Sequence, residues 1–91
     1  MESMSRQLTI INKLGLHARA AAKLVNLAGQ YTCGITVNCN GKDANAKSIM
    51  SVMMLAATKG TEIEIVTDGD DSAEALDAVC GLVDDRFGES E

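Results

Sequence analysis

Residues 12–22 read NKLGLHARAAA, and this stretch joins a β-type run, residues 8–11, to an alanine-rich helical run, residues 18–28. The only histidine of the chain, His17, lies at the junction, two residues before Arg19. Helix starts carry free backbone N–H groups and a partial positive charge, and both favour bound anions. A titratable imidazole beside an arginine at such a position is suited to receiving and releasing a phosphoryl group. For a histidine taken by itself, the simpler interpretation is a residue that ends a loop.

Length and composition limit the kind of protein this is. A chain of 91 residues with 46% hydrophobic content is enough for one domain with one core, so residues 1–91 are expected to form a single domain. Residues 1–5 and 88–91 are expected to be loose ends. Aromatic side chains are scarce and the net charge is −5, which argues against a base-stacking or electrostatic nucleic-acid surface.

Three cysteines, Cys33, Cys39 and Cys80, show no CxxC spacing, and one histidine adds little to a metal site. We expect no metal and no cofactor, and reduced thiols that serve as small apolar side chains. The sequence shows neither a signal peptide nor an apolar stretch of membrane-spanning length, so a cytoplasmic protein with no membrane association is expected.

Hydrophobic periodicity and turn residues predict seven elements. The strands are expected over residues 6–12, 33–39, 42–46 and 61–67, with an Asn40-Gly41 hairpin between the second and the third. The first two helices are expected over residues 18–28, ended by Gly29, and over residues 48–58, capped by Ser48. The last helix is expected to begin with an Asp71/Glu74 capping box and to end near Phe87. This order predicts an α+β fold with one mostly antiparallel sheet and the helices packed on one face. The weak return strand over 42–46 is expected at an edge of that sheet.

The second helix is apolar on too many sides for a short surface helix. An inward stripe of three residues, Val52, Leu55 and Ala56, leaves four large apolar side chains outside: Ile49, Met50, Met53 and Met54. An exposed methionine-rich cluster is typical of an adaptable partner surface. The alternative is a helix that is simply buried more deeply.

Three segments together resemble the histidine phosphocarrier family, HPr, of the bacterial phosphoenolpyruvate-dependent phosphotransferase system. They are residues 15–19 (GLHAR), the Asn40-Gly41 hairpin, and residues 46–50 (AKSIM). The resemblance extends in order over residues 6–87. It implies the fold of that family, an open-faced β-sandwich in which a four-stranded antiparallel sheet carries three helices on one side.

The resemblance also implies a function and a site. His17 would accept a phosphoryl group on Nδ1 from phosphorylated enzyme I and pass it to a histidine of an enzyme IIA-type protein. Arg19 would stabilise the phosphate together with the backbone N–H groups of Ala18 and Arg19. The chain would then be a carrier and a co-substrate of other enzymes, not an enzyme itself.

By the same resemblance, Ser48 occupies the position of a regulatory phosphosite, which an HPr kinase would modify. The apolar docking surface shared by both partners would include Ile49, Met50 and Met53. A carrier that meets two partners in succession works most simply as a monomer.

The chain departs from the family pattern at Ala20, where many members have proline; alanine is also a good helix former, so the helix is expected to persist. The methionine-rich second helix and residues 12–14 are more similar to the nitrogen-related branch of the system (NPr-like) than to the sugar-uptake branch.

Two other functions compete with the carrier. One is a regulatory module of the same fold that acts through Ser48 and the second helix. The other is a small-ligand or metal-binding α+β domain, which a single histidine and scattered cysteines make weak. The presence of both His17 and Arg19 favours the carrier, because a purely regulatory form needs no imidazole that can be phosphorylated.

Overall fold

The computed structural model describes residues 3–91, which form four strands and three helices. In chain order they are β1 (Ser3–Thr9), α1 (Ala18–Ala28), β2 (Gly34–Cys39), β3 (Lys42–Asn45), α2 (Ile49–Met54), β4 (Glu62–Asp68) and α3 (Ser72–Asp84), followed by one 3₁₀ turn (Arg86–Gly88).

The four strands form one antiparallel sheet in the order β1-β4-β2-β3. Leu8 of β1 lies opposite Ile63 of β4, and Val37 of β2 lies opposite Ile65 of β4. Alternate side chains of β2 and β4 are buried, as expected for a sheet covered on one face. The predicted α+β fold with three helices is confirmed.

The core lies between the sheet and the helices and is aliphatic except for Phe87. The last helix ends at Asp84 rather than near Phe87, which lies in the 3₁₀ turn that follows it. The apolar residues predicted for this helix are nevertheless all buried: Leu76, Val79, Cys80, Val83 and Phe87. The three cysteines are free and buried, as the sequence predicts. Among residues 3–91, no helix has the length and apolar character that crossing a membrane requires.

The hairpin between β2 and β3 forms at the predicted place. Asn40 and Gly41 both have positive φ, 54° and 81°, which is the backbone of a type I′ turn. β3 pairs only with β2 and is an edge strand, as predicted. α1 also has the predicted bounds and ends directly before Gly29.

The first strand is displaced from its predicted position. It begins at Ser3 and ends at Thr9, because its pairing with β4 continues to the end of that strand, where Ser3 lies opposite Asp68. The expectation of a loose end is therefore wrong for residues 3–5, while residues 1–2 lie outside the described part of the chain. Asn12, expected within the strand, lies in the loop that follows it.

The second helix is shorter than the predicted span of residues 48–58 and ends at Met54. Ala56 has a φ of 51°, in the left-handed region, so the chain turns out of the helix there. The turn brings the carbonyl of Ala57 to 2.9 Å from the backbone nitrogen of Leu16. Ala56 is exposed and not part of the inward stripe, whereas Val52 and Leu55 are buried as predicted.

Asp71 precedes α3, but the predicted capping box does not form. Its carboxylate accepts instead from the backbone N–H groups of Thr32 and Cys33, each at 2.9 Å. The Thr32 N–H makes the largest contribution to holding the pKa of Asp71 below its ordinary value. These bonds fasten the chain just before β2 to the start of α3.

This fastening predicts a pH-dependent loss of stability in Asp71→Asn. Because the pKa of Asp71 is lowered by folding, its carboxylate stabilises the fold above the ordinary value of 3.8, and the contribution is lost as the pH falls through the folded-state pKa. Thermal unfolding should therefore show a lower Tm for the variant at neutral pH and a shrinking difference in acid. Asp70→Asn, at the exposed neighbouring position, is the matched control and should resemble the wild type. A Tm difference that is the same at neutral and acid pH would contradict this role.

Candidate functional site

His17 ends a loop of residues 10–17 that we call the histidine loop. Backbone hydrogen bonds fasten both ends of this loop to the segment between α2 and β4. At one end the N–H of Ile10 donates to the carbonyl of Thr61 at 2.9 Å, and at the other the N–H of Leu16 donates to the carbonyl of Ala57 at 2.9 Å. The backbone position of the histidine is therefore set by main-chain contacts.

Gly15 makes this fastening possible. Its φ is +67°, and a Cβ built at this position would lie 2.4 Å from the carbonyl oxygen of Ala57. A side chain here would be strained by its backbone conformation and would collide with main-chain atoms that cannot move aside. The glycine two residues before His17 is thus required by the close approach of two backbone segments.

His17 occupies the N-cap position of α1 with an extended backbone, φ −73° and ψ 178°, and its side chain makes no capping hydrogen bond. The first helical bond runs from the N–H of Ala21 to the carbonyl of His17, at 2.8 Å. The preceding N–H groups, of Ala18, Arg19 and Ala20, have no acceptor within the helix. The first turn contains no acidic residue, so the positive end of α1 is left unneutralised by its own side chains.

The C-terminal segment, residues 88–91, folds back over the imidazole; we call it the tail. Glu89 contacts Nε2 of His17 through Oε2, and its Oε1 accepts from Nδ2 of Asn12 at 2.9 Å. Both side chains of the contact are largely shielded, with 27% of His17 and 14% of Glu89 exposed. The Asn12 amide first, and then His17, hold the pKa of Glu89 below its ordinary value, so the carboxylate is ionised at neutral pH.

The position of the tail differs from the loose end that the sequence predicts for residues 88–91. Phe87 is fully buried and completes the apolar stripe of α3, and positive φ values at Phe87 and Gly88 reverse the chain immediately after it. The carbonyl of Phe87 accepts from Nζ of Lys23 at 2.7 Å. Farther on, the N–H of Lys13 donates to the carbonyl of Glu91 at 2.9 Å. Burial of the Phe87 ring is the physical reason that the tail is held, and the composition of the chain does not predict where this ring lies.

Asn12 is fully buried, and the sequence interpretation missed its role. Its Nδ2 donates to the carbonyl of Gly15 at 2.8 Å as well as to Glu89. Its Oδ1 is buried without a hydrogen-bond partner among the residues the structure describes. The only available signal was an asparagine directly after the apolar pair Ile10-Ile11, and nothing in the sequence connects it to a glutamate 77 positions away.

An open cleft of about 850 Å³ surrounds the imidazole. Three cationic side chains line it, those of Lys13, Arg19 and Lys23, and the tail contributes the carboxylates of Glu89 and Glu91. Arg19 is exposed and has no ion-pair partner within residues 3–91, so it is available to an incoming anion. Cations and an uncompensated helix N-terminus make the cleft suitable for a small oxyanion beside the ring.

Ser48 lies at the start of α2, where its hydroxyl accepts from the backbone N–H of Ser51 at 3.4 Å, which confirms the predicted cap. Four large apolar side chains of α2 are exposed, as predicted: Ile49 by 39%, Met50 by 68%, Met53 by 40% and Met54 by 73%. We call these four residues the methionine patch. The helix that carries them packs against α1, and the segment that follows it is bonded to the histidine loop. The methionine patch and His17 are therefore carried by neighbouring elements of the fold.

The site residues predicted from sequence thus fall into two groups. His17, Ala18 and Arg19 lie together at the start of α1, and Ser48 lies at the start of α2 with the methionine patch. Within residues 3–91, no group of three or more His, Cys, Asp or Glu side chains is arranged to hold a metal ion.

The chain is similar to known proteins over nearly its whole length. The chain matches the family described as PTS HPr component phosphorylation site over residues 4–85. It is 53% identical over 88 residues to the phosphocarrier protein HPr of Cupriavidus necator, covering 97% of this chain and 99% of that protein. It is 46% identical over 90 residues to the phosphocarrier protein NPr of Shewanella violacea, covering 99% of each.

Among solved structures, HPr-C-His from Thermoanaerobacter tengcongensis is similar with a TM-score of 0.90 at 38% identity, covering 100% of both chains. The resemblance seen in the sequence is confirmed by the family match, by the relatives and by the fold. The chain belongs to the HPr family of phosphocarrier proteins of the phosphotransferase system.

Proposed function

We propose that His17 carries a phosphoryl group on Nδ1, received from phosphorylated enzyme I and passed to a histidine of an enzyme IIA-type protein. The observation that supports this most is the position of the imidazole. It is partly exposed at the N-terminus of α1, whose first turn has no acid, in a cleft lined by three cationic side chains. A neutral imidazole is a nucleophile at cellular pH, and the ring of His17 lines the cleft from which a phosphoryl donor would approach.

The phosphoryl group would be stabilised by the start of α1 and by Arg19. The backbone N–H groups of Ala18 and Arg19 have no helical acceptor and can donate to phosphate oxygens. The guanidinium of Arg19 can pair with two of those oxygens at once. These donors are exposed and therefore hydrated, so the phosphate is held weakly enough to be given up again, as a carrier requires.

The methionine patch is the proposed docking surface for both partners, through Ile49, Met50 and Met53. Thioether side chains adapt to different partner surfaces, which suits a carrier that must meet two proteins in turn. Since both partners would use the region around His17, we expect them to bind one after the other to a monomer.

Ser48 is the proposed site of regulation, by an HPr kinase. A phosphate there would add a charge of about −2 beside the methionine patch and would oppose docking of an acidic partner surface. A second candidate function rests on the same observation: a regulatory module of this fold would act through Ser48 and α2 without any phosphate on His17.

The carrier would serve either sugar uptake or nitrogen-related regulation, because relatives named HPr and NPr are both similar to this chain over nearly its full length. We place the carrier in the cytoplasm, in keeping with three free cysteines, which suit a reducing compartment.

The proposal is tested by incubating wild type and His17→Ala with phosphoenolpyruvate and enzyme I of the same organism. Intact mass should show one acid-labile phosphate on the wild type and none on the variant. The fold should be unchanged, because the histidine loop is fastened by backbone bonds and the ring makes no capping contact. Phosphate on the variant would show that His17 is not the acceptor, whereas no phosphate on the wild type would contradict the carrier function and favour the regulatory module.

The docking surface is tested with Met50→Glu. A carboxylate placed in an apolar interface must be desolvated, so we expect the KM of enzyme I for the carrier to rise by about tenfold or more with little change in Tm. Met4→Glu is the matched control, because Met4 is an exposed methionine of β1, at the sheet edge opposite to β3. Equal KM values for the two variants would show that the methionine patch is not part of the docking surface.

A further inference from the structure

We propose that Asn12 and Glu89 are positioning residues that hold His17 as the Nε2–H tautomer and so leave the lone pair of Nδ1 free for the phosphoryl group. The inference rests on the proposed function and deepens it, because it names the side chains that select which ring nitrogen reacts.

The contact between Glu89 and His17 fixes the proton. An ionised carboxylate only accepts hydrogen bonds, so the hydrogen between Oε2 of Glu89 and Nε2 of His17 belongs to the nitrogen. A neutral imidazole with its proton on Nε2 has its lone pair on Nδ1. The lowered pKa of Glu89 supports the ionised state of that carboxylate at neutral pH.

Asn12 orients the carboxylate of Glu89 toward His17. Its Nδ2 carries two hydrogens, one directed to the carbonyl of Gly15 at 2.8 Å and the other to Oε1 of Glu89 at 2.9 Å. Both neighbours are acceptors, so the amide cannot be turned around, and its oxygen has no hydrogen-bond partner among residues 3–91. An orphaned buried oxygen costs stability, so packing alone does not account for an asparagine at this position.

The two residues also join the two chain segments that meet at the ring. Asn12 belongs to the histidine loop and is fully buried, whereas Glu89 belongs to the tail, which Phe87 anchors in the core. The carboxylate is therefore held from both sides, and the ring that it contacts is held with it. This arrangement has the form of a histidine oriented by an acid on its far nitrogen.

The same hydrogen bond serves both directions of transfer. In acceptance, the Nδ1 lone pair forms a bond to phosphorus while the bond from phosphorus to the donor's imidazole nitrogen breaks, and the donor ring keeps that electron pair. Nε2 of His17 retains its proton, so the phosphorylated ring is cationic and faces the negative Glu89. In donation, the ring leaves as neutral imidazole because the proton on Nε2 has stayed in place.

Glu89→Gln separates this role from simple anchoring of the tail. The glutamine oxygen is expected to face Nδ2 of Asn12, which only donates, so its NH₂ group must face Nε2 of His17. Nε2 then has to accept, and the ring changes to the Nδ1–H tautomer. Imidazole ¹⁵N chemical shifts, measured at about pH 8 where a free imidazole is neutral, report the tautomer directly and need no partner protein.

We expect the wild type to be protonated on Nε2 and Glu89→Gln to shift toward protonation on Nδ1. Phosphoryl acceptance from enzyme I should slow by about tenfold or more in the variant, since the reacting nitrogen has lost its lone pair. Glu74→Gln is the matched control: it makes the same carboxylate-to-amide change at an exposed position of α3 that does not line the cleft. It should change neither the tautomer nor the rate.

Asn12→Ala provides a second variant and should slow acceptance without removing any group that touches His17. An unchanged tautomer in Glu89→Gln, or a shifted tautomer with an unchanged rate, would overturn the positioning role while leaving the carrier function in place. A wild type that takes up no phosphate would overturn the carrier function itself, and the ¹⁵N shifts would still decide the tautomer.

Discussion

The close approach of the histidine loop to the segment after α2 is the constraint on which the site depends. Gly15 lies against the carbonyl of Ala57, at a distance that excludes any side chain, and Leu16 donates to that same carbonyl. This contact sets where α1 begins and therefore where His17 meets the free N–H groups of the helix. It also fixes the histidine beside the segment that leads out of the methionine patch.

A second constraint comes from the end of the chain. Burial of Phe87 completes the core face of α3, and the left-handed turn after it sends the tail back toward the start of α1. The tail then places a carboxylate on one nitrogen of the imidazole and leaves the other to the cleft. The cleft as a whole combines three cationic side chains with two carboxylates. In the proposed carrier, this balance would attract an anion without binding it tightly.

Hydrophobic periodicity and turn residues predicted the features of the fold that depend on neighbouring residues in the sequence. The bounds of α1, the Asn40-Gly41 turn, the buried stripe of α3 and the exposed face of α2 follow from periodicity and turn chemistry. The placement of His17 directly before α1, with Arg19 in its first turn, is also visible in a single stretch of sequence. The resemblance to a family then assigned roles that spacing alone could not.

Features that depend on distant contacts were not predictable in this way. Asp71 has the spacing of a helix cap, but its carboxylate accepts instead from two backbone N–H groups that precede β2. α2 ends early because a backbone bond to Leu16 requires a turn at Ala56. Asn12 and Glu89 are 77 positions apart in the sequence, and only the folded chain shows that their side chains meet beside His17.

In the proposed mechanism, Nδ1 of His17 is the reacting atom and Nε2 keeps its proton. The most direct measurement is ³¹P–¹⁵N coupling in the phosphorylated protein with ¹⁵N-labelled histidine. We expect phosphorus to couple to Nδ1 and Nε2 to carry a hydrogen. Coupling of phosphorus to Nε2 would contradict this mechanism, because the phosphoryl group would then occupy the position that Glu89 holds.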